Sequence, residues 1–146
     1  RIRRHGLLVV EASACNVFGE PWQRDLMTPS VRSMLDYAEK ASAARLWQSV
    51  DELVGIRRSI RNALTHVDCL VLPTTPQSAP VIGDDPVHAA DLTAWVNVAG
   101  LPAVAVPWQG TSVQLIGQPG SDRNLLRWAA KIDDYVNFQI PEVDAR

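Results

Sequence analysis

Apolar positions in the first half of the chain recur at helical spacing, in three segments with their own boundary signals. The first segment runs from Gly6 to Phe18. A threonine cap followed by proline, Thr28-Pro29, begins the second, and Ser42 caps the third. In the third segment apolar residues recur at steps of three and four, and charged residues occupy the other faces. We therefore predict three helices here, the longest spanning 42–66.

The pattern changes at Asp68, where short apolar runs replace the helical stripes. Residues 69–72 and 103–106 contain no polar side chain, which is typical of strands buried on both faces of a sheet. Residues 113–116 are a third strand candidate. The segment 76–90 is rich in Pro, Gly, Ser and Asp, and we predict a loop there.

Two further helices are predicted among these strands. A short helix extends from Leu92 to Val98, with Asp91 as its N-cap and Gly100 just past its end. Asp122 opens the final helix, predicted over 122–137. This order of helices and strands indicates an α/β fold with a mixed sheet flanked by helices.

Three strands with apolar faces on both sides need neighbours that this chain does not obviously supply. The sequence also begins at Arg1 instead of methionine. We therefore expect the chain to be part of something larger, with a missing N-terminal region. Homodimerisation stays open as another way to cover the sheet.

Composition limits the classes of partner that the chain could bind. A net charge of -2 and a pI near 5.9 give no electrostatic basis for binding nucleic acid or an anionic membrane. No stretch approaches the roughly 20 apolar residues of a membrane span. Cys15 and Cys69 lack metal-binding or disulfide spacing, which favours a reducing cytoplasm.

The residues alone offer no catalytic constellation. His88 follows Asp84 and Asp85, and the three residues are candidate metal ligands. Their spacing, however, matches no familiar ligand pattern. The chain contains no Gly-x-Ser-x-Gly elbow and no phosphate-binding glycine loop. We therefore expect neither a metal nor a cofactor.

Four sequence segments resemble, in order, the C-terminal region of the amidase-signature family. They begin with an acidic residue, a short strand and a Pro-Thr-Thr-Pro turn, and end where the last helix opens. The segments are 67–76 (VDCLVLPTTP), 97–103 (NVAGLPA) with 104–107 (VAVP) after it, 114–117 (QLIG) and 120–122 (GSD). The helices before residue 66 match only in pattern.

The resemblance implies an enzyme that hydrolyses the C–N bond of linear carboxamides to a carboxylate and ammonia or an amine. Members use a Ser-Ser-Lys triad and a Gly/Ser-rich loop that binds the oxyanion. This sequence has no such loop, and neither of its lysines, Lys40 and Lys131, has the family's lysine context. The resemblance therefore implies that residues 1–146, helical over 1–67 and strand-and-helix over 68–146, are the C-terminal part of the domain, inactive alone. The alternative is a non-catalytic assembly module that docks on an amidotransferase.

One acidic position resembles a substrate ligand of related amidotransferase subunits. Asp91 holds that place, with Thr93 and Asn97 nearby, and the resemblance implies contact with a small amide substrate in the parent enzyme. The alternative is structural: Asp91 caps a helix, Thr93 supports it and Asn97 bonds to backbone.

The family usually has a longer connection between the Val-Pro strand and the Gln-Leu-Ile-Gly strand. Here only residues 108–112 join them. Either Gly110 forms the turn of a short hairpin, or loop residues have been lost from between Trp108 and Val113. The resemblance favours the lost loop.

Overall fold

The computed structural model describes residues 2–18, 20–83 and 88–139. The chain divides into two compact units, residues 1–57 and 58–146. The predicted elements occur in the predicted order, with one more short helix, α2. The helices are α1 (Ile2–Val17), α2 (Pro21–Asp25), α3 (Pro29–Glu39), α4 (Ala43–Ala63), α5 (Ala94–Ala99) and α6 (Asp122–Gln139), and the strands are β1 (Cys69–Pro73), β2 (Ala103–Trp108) and β3 (Thr111–Gly117). None of the helices in the described ranges is long and apolar enough to cross a bilayer.

Residues 1–57 form a helical unit in which α1 packs on α3, with Leu8 and Leu35 buried. The predicted caps are confirmed. The Thr28 hydroxyl accepts from the backbone N–H of Val31, and the Ser42 hydroxyl accepts from the N–H of Arg45. Each hydroxyl satisfies one of the N–H groups that the start of a helix leaves without a partner.

Residues 58–146 contain a three-stranded antiparallel sheet of order β1-β3-β2. Ile116 of β3 pairs with Leu70 of β1 on one side and with Ala103 of β2 on the other. The prediction that these strands are neighbours in one sheet is confirmed.

Each face of the sheet has its own hydrophobic core. Ile116 packs with Leu64 and with Val96 of α5 on one face. Leu115 packs with Leu125 and Ala129 of α6 on the other. Consecutive residues of β3 point to opposite faces, which is why one strand supplies both cores.

Within this chain the strands 69–72 and 103–106 are not buried on both faces, and the predicted burial of the sheet in a complete protein stays a prediction. Both strands are edges of the sheet, and only the central strand β3 is largely buried. Val71 of β1 is 55% exposed, and β2 is buried only at Val106. Apolar composition shows that a strand can be covered on both faces, but the cover itself depends on neighbouring elements.

The connection between β2 and β3 is a short hairpin, so the expectation of lost loop residues is not supported. Trp108 pairs with Thr111, and only Gln109 and Gly110 lie between them. Their φ angles are 45° and 76°, the left-handed pair that a two-residue hairpin turn requires. Gly110 adopts this conformation without steric cost.

Candidate functional site

The candidate site lies at the start of α5. Thr93, rather than Asp91, is the N-cap residue, because the helix begins at Ala94. The prediction that the helix begins at Leu92 and that Asp91 caps it is therefore wrong. The Thr93 hydroxyl donates to the carbonyl of Ala90 over 3.4 Å, a bond within the turn that precedes the helix. Such bonds compete with the cap bond, since both use the same small side chain.

Asp91 bonds to a histidine. Its Oδ2 lies 2.8 Å from Nδ1 of His88, and its backbone N–H donates to the His88 carbonyl. Both side chains remain accessible, with 69% of His88 and 43% of Asp91 exposed. The acidic residues considered with His88 as a metal site, Asp84 and Asp85, lie outside the described residues. What the structure places here is an accessible carboxylate oriented by an imidazole.

Asn97 lies on α5 one turn after Thr93, and its N–H donates to the Thr93 carbonyl. Residues four apart share one face of a helix, so these two side chains lie on the same face. Asn97 is exposed and Thr93 is half-buried. The structure thus groups Thr93 with Asn97 on the helix and leaves Asp91 in the turn before it.

The other end of α5 is fixed by a glycine and an arginine. Gly100 has the left-handed conformation, with φ 61° and ψ 49°, as predicted for a helix stop. Arg61 of α4 donates from Nε to the Ala99 carbonyl over 2.8 Å and from Nη2 to the Gly100 carbonyl over 3.2 Å. The pattern placed Arg61 on a solvated face of α4, but this guanidinium satisfies carbonyls that the helix end leaves free.

Gln114 belongs to the 114–117 motif, but no role at the site was predicted for it. It lies on the central strand and is 2% exposed. Its Nε2 donates to the Leu92 carbonyl over 2.9 Å and to the Pro73 carbonyl over 3.1 Å. One amide group therefore joins the end of β1 to the segment that precedes α5. A polar residue inside an apolar strand was the available signal.

The turn after β1 carries a second buried polar group. The N–H of Thr74 donates to the Ser112 carbonyl over 3.0 Å. Its hydroxyl oxygen is buried and has no hydrogen-bond partner among the described residues. Buried hydroxyls are almost always bonded, so this group marks a place where the described contacts leave an acceptor or donor unused.

Both free cysteines have thiols that are less acidic than that of an ordinary cysteine. Burial raises the pKa of the Cys69 thiol, and burial together with the nearby Glu39 carboxylate raises the pKa of Cys15. A raised pKa keeps the thiol protonated, and the thiolate is the reactive form. Within the part of the chain that the structure describes, no group of three His, Cys, Asp or Glu residues could hold a metal ion.

The fold and the motif segments together define an amidase-type α/β structure. The Amidase family model matches residues 4–126, and the chain therefore belongs to this family. A crystal structure of an amidase superimposes over 92% of this chain and 35% of its own, with a TM-score of 0.82 at 21% sequence identity.

Two similar curated proteins show how much of a longer sequence the chain covers. One is a subunit of the chloroplastic/mitochondrial glutamyl-tRNA(Gln) amidotransferase of Oryza sativa subsp. indica. It is 41% identical over 87 residues, covering 49% of this chain and 16% of that protein. The putative amidase AmiD of Mycobacterium bovis is 28% identical over 133 residues, covering 81% of this chain and 28% of that protein. The chain thus spans less than a third of the length of each of these relatives.

Proposed function

We propose that this chain is the C-terminal part of an amidase that hydrolyses linear carboxamides to a carboxylate and ammonia or an amine. The family match over residues 4–126 carries this proposal. The Ser-Ser-Lys triad belongs to a region that the 146 residues do not contain, since neither lysine nor any serine here has the required context. The chain alone is proposed to be inactive.

In this proposal the segment around α5 helps to bind the substrate. Three observations support the role: Asp91 and Asn97 are exposed, Thr93 shares a face with Asn97, and Arg61 holds the C-terminal end of the short helix that follows Asp91. A primary carboxamide offers two N–H donors and one carbonyl acceptor, and a secondary one offers a single N–H donor. The Asp91 carboxylate can accept from the N–H groups, and the Asn97 amide can donate to the carbonyl.

The test is an ammonia-release assay on the complete protein encoded by the gene. A panel of aliphatic and aromatic carboxamides is compared with the matching esters and nitriles, and the 146-residue chain is the control. We expect ammonia from some carboxamides with the complete protein and none with the chain alone. Activity of the chain alone that disappears on replacing one of its serines would overturn the assignment of the triad to another region.

A further inference from the structure

Gln114 makes a buried connection between two segments that are far apart in sequence. Its side chain lies on the same face of β3 as Ile116, towards α5. The two acceptors of its Nε2 are 22 and 41 residues away along the chain. One acceptor, the Leu92 carbonyl, follows Asp91 directly and precedes Thr93. The other, the Pro73 carbonyl, directly precedes Thr74.

We propose that Gln114 is a positioning residue for amide binding, which sets the distance between the turn after β1 and the segment 88–93. This inference rests on the proposed function, because it assumes that Asp91 and Thr93 face the substrate. Gln114 itself is buried and acts through these two segments.

The chemistry of the two bonds requires a neutral side chain with two donors at one atom. A primary amide nitrogen has two hydrogens, and the two carbonyls use both. Rotating the amide by half a turn would place its oxygen against two carbonyl oxygens, so the orientation is fixed. Glutamate offers at most one donor, and then only when protonated. An apolar residue offers none and leaves both carbonyls without this partner.

The bonds are separate from those that build the sheet and the helix. In and around the first turn of α5, the N–H groups of Ala94 and Val96 donate to the carbonyls of Ala90 and Thr93. The ladder between β1 and β3 comes from backbone pairing. Removing the side-chain amide should therefore leave the sheet and α5 intact. The distance between the turn after β1 and the segment 88–93 would no longer be held by these two bonds. Small displacements of binding groups have large kinetic effects, because reacting atoms must be aligned closely.

The experiment uses the complete enzyme with Gln114→Met, which keeps length and volume but has no donor. Leu115→Ala is the matched control, since Leu115 is equally buried, adjacent in sequence and packed on the opposite face against α6. Thermal melts set a temperature at which all variants are folded. For Gln114→Met we expect a KM raised roughly ten- to a hundred-fold. For Leu115→Ala we expect a larger fall in melting temperature with KM nearly unchanged. Should Gln114→Met fail to fold, Gln114→Leu, which also has no donor, takes its place with the same expectation.

Hydrogen exchange separates this inference from the function on which it rests. The backbone amides of Thr74, Thr75, Gln77 and 88–93 should exchange faster in Gln114→Met than in the wild type, and those of α6 should not. If the wild type hydrolyses no carboxamide, the proposed function fails, and the exchange data alone decide whether Gln114 holds the two segments. Unchanged exchange, an unchanged KM for Gln114→Met, or an equal rise in KM for Leu115→Ala would each overturn the positioning role.

Discussion

The charge of the Asp91 carboxylate can be tested apart from its shape, because asparagine has the same shape and no charge. Thr93 occupies the N-cap, so Asp91→Asn removes no helix cap, and asparagine still offers an oxygen to His88. We expect the free energy of unfolding of the complete enzyme to change by less than about 0.5 kcal/mol. If the carboxylate accepts from the substrate amide, KM should rise roughly ten-fold at the same time.

Asp122→Asn is the control for Asp91→Asn, because it makes the same change of charge in the first turn of α6. Steady-state kinetics and thermal melts on both variants give the comparison. Normal KM and kcat for Asp91→Asn would end the substrate-binding role of this residue. An equal effect of Asp122→Asn would indicate a general effect of charge.

Two helix caps with local signals, Thr28 and Ser42, were predicted correctly, the cap at Asp91 was not, and residues with distant partners were missed. Thr28 and Ser42 cap helices by bonding three residues ahead, so a short stretch of sequence contains the whole signal. Arg61 donates to a carbonyl 38 residues away, and the acceptors of Gln114 are similarly remote. A polar side chain does not reveal from its own position which carbonyl the fold will place beside it.

At the scale of elements, Arg61 joins α4 to the end of α5. Arg61→Met keeps the apolar stem and removes both bonds to the Ala99 and Gly100 carbonyls. Because the guanidinium is partly exposed, we expect a loss of about 1–2 kcal/mol in the free energy of unfolding. Arg58→Met, on an exposed position of the same helix, is the control and should change it by less than about 0.5 kcal/mol. Urea denaturation of both variants measures the two losses in the free energy of unfolding. Equal losses would show that the bonds to α5 contribute nothing particular.

Gly117 and Ser121 determine how closely β3 and α6 approach. A Cβ on Gly117 would lie 2.1 Å from the Ser121 hydroxyl oxygen and 3.2 Å from the Leu125 methyls. Gly117→Ala should therefore cost about 1–3 kcal/mol through overpacking. The Ser121 hydroxyl is buried and has no hydrogen-bond partner among the described residues, so Ser121→Ala alone should be close to neutral.

The double variant Gly117→Ala/Ser121→Ala tests this explanation directly. Removing the hydroxyl relieves the closest contact, and we expect recovery of at least about 1 kcal/mol of the loss. The remaining cost comes from Leu125, which must shift by a few tenths of an ångström. Strictly additive effects in a double-mutant cycle would show that the steric account is wrong.

The positions of the strands could be predicted because apolar runs and their proline and glycine boundaries are local. The burial of these strands could not be predicted from the sequence. The order β1-β3-β2 makes 69–72 an edge strand, and order is a property of the sheet rather than of the run. The hairpin was one of two alternatives and was not the favoured one, because Gln109 gives no hint of the left-handed conformation that the turn imposes on it.

At the scale of the whole molecule, apolar strands at both edges of a small sheet are a liability unless something pairs with them. Val71 of β1 is more than half exposed, although the run around it has the composition of a strand covered on both faces. The chain spans only 28% of the amidase relative that it matches over most of its own length. Under the proposed function, further segments of the parent enzyme would cover these edges.

Hydrogen exchange on β1 and β2 tests this in the complete protein and in the 146-residue chain. Antiparallel edge strands direct alternate N–H groups away from their single neighbour, and these exchange quickly when only water covers them. We expect the outward amides of 69–72 and 103–106 to exchange slowly in the complete protein and quickly in the chain alone. The amides of β3, paired on both sides in each case, should differ far less and serve as the internal control. Fast exchange of the outward amides in the complete protein would mean that both strands are true edges. That result would contradict the expectation that further segments cover β1 and β2.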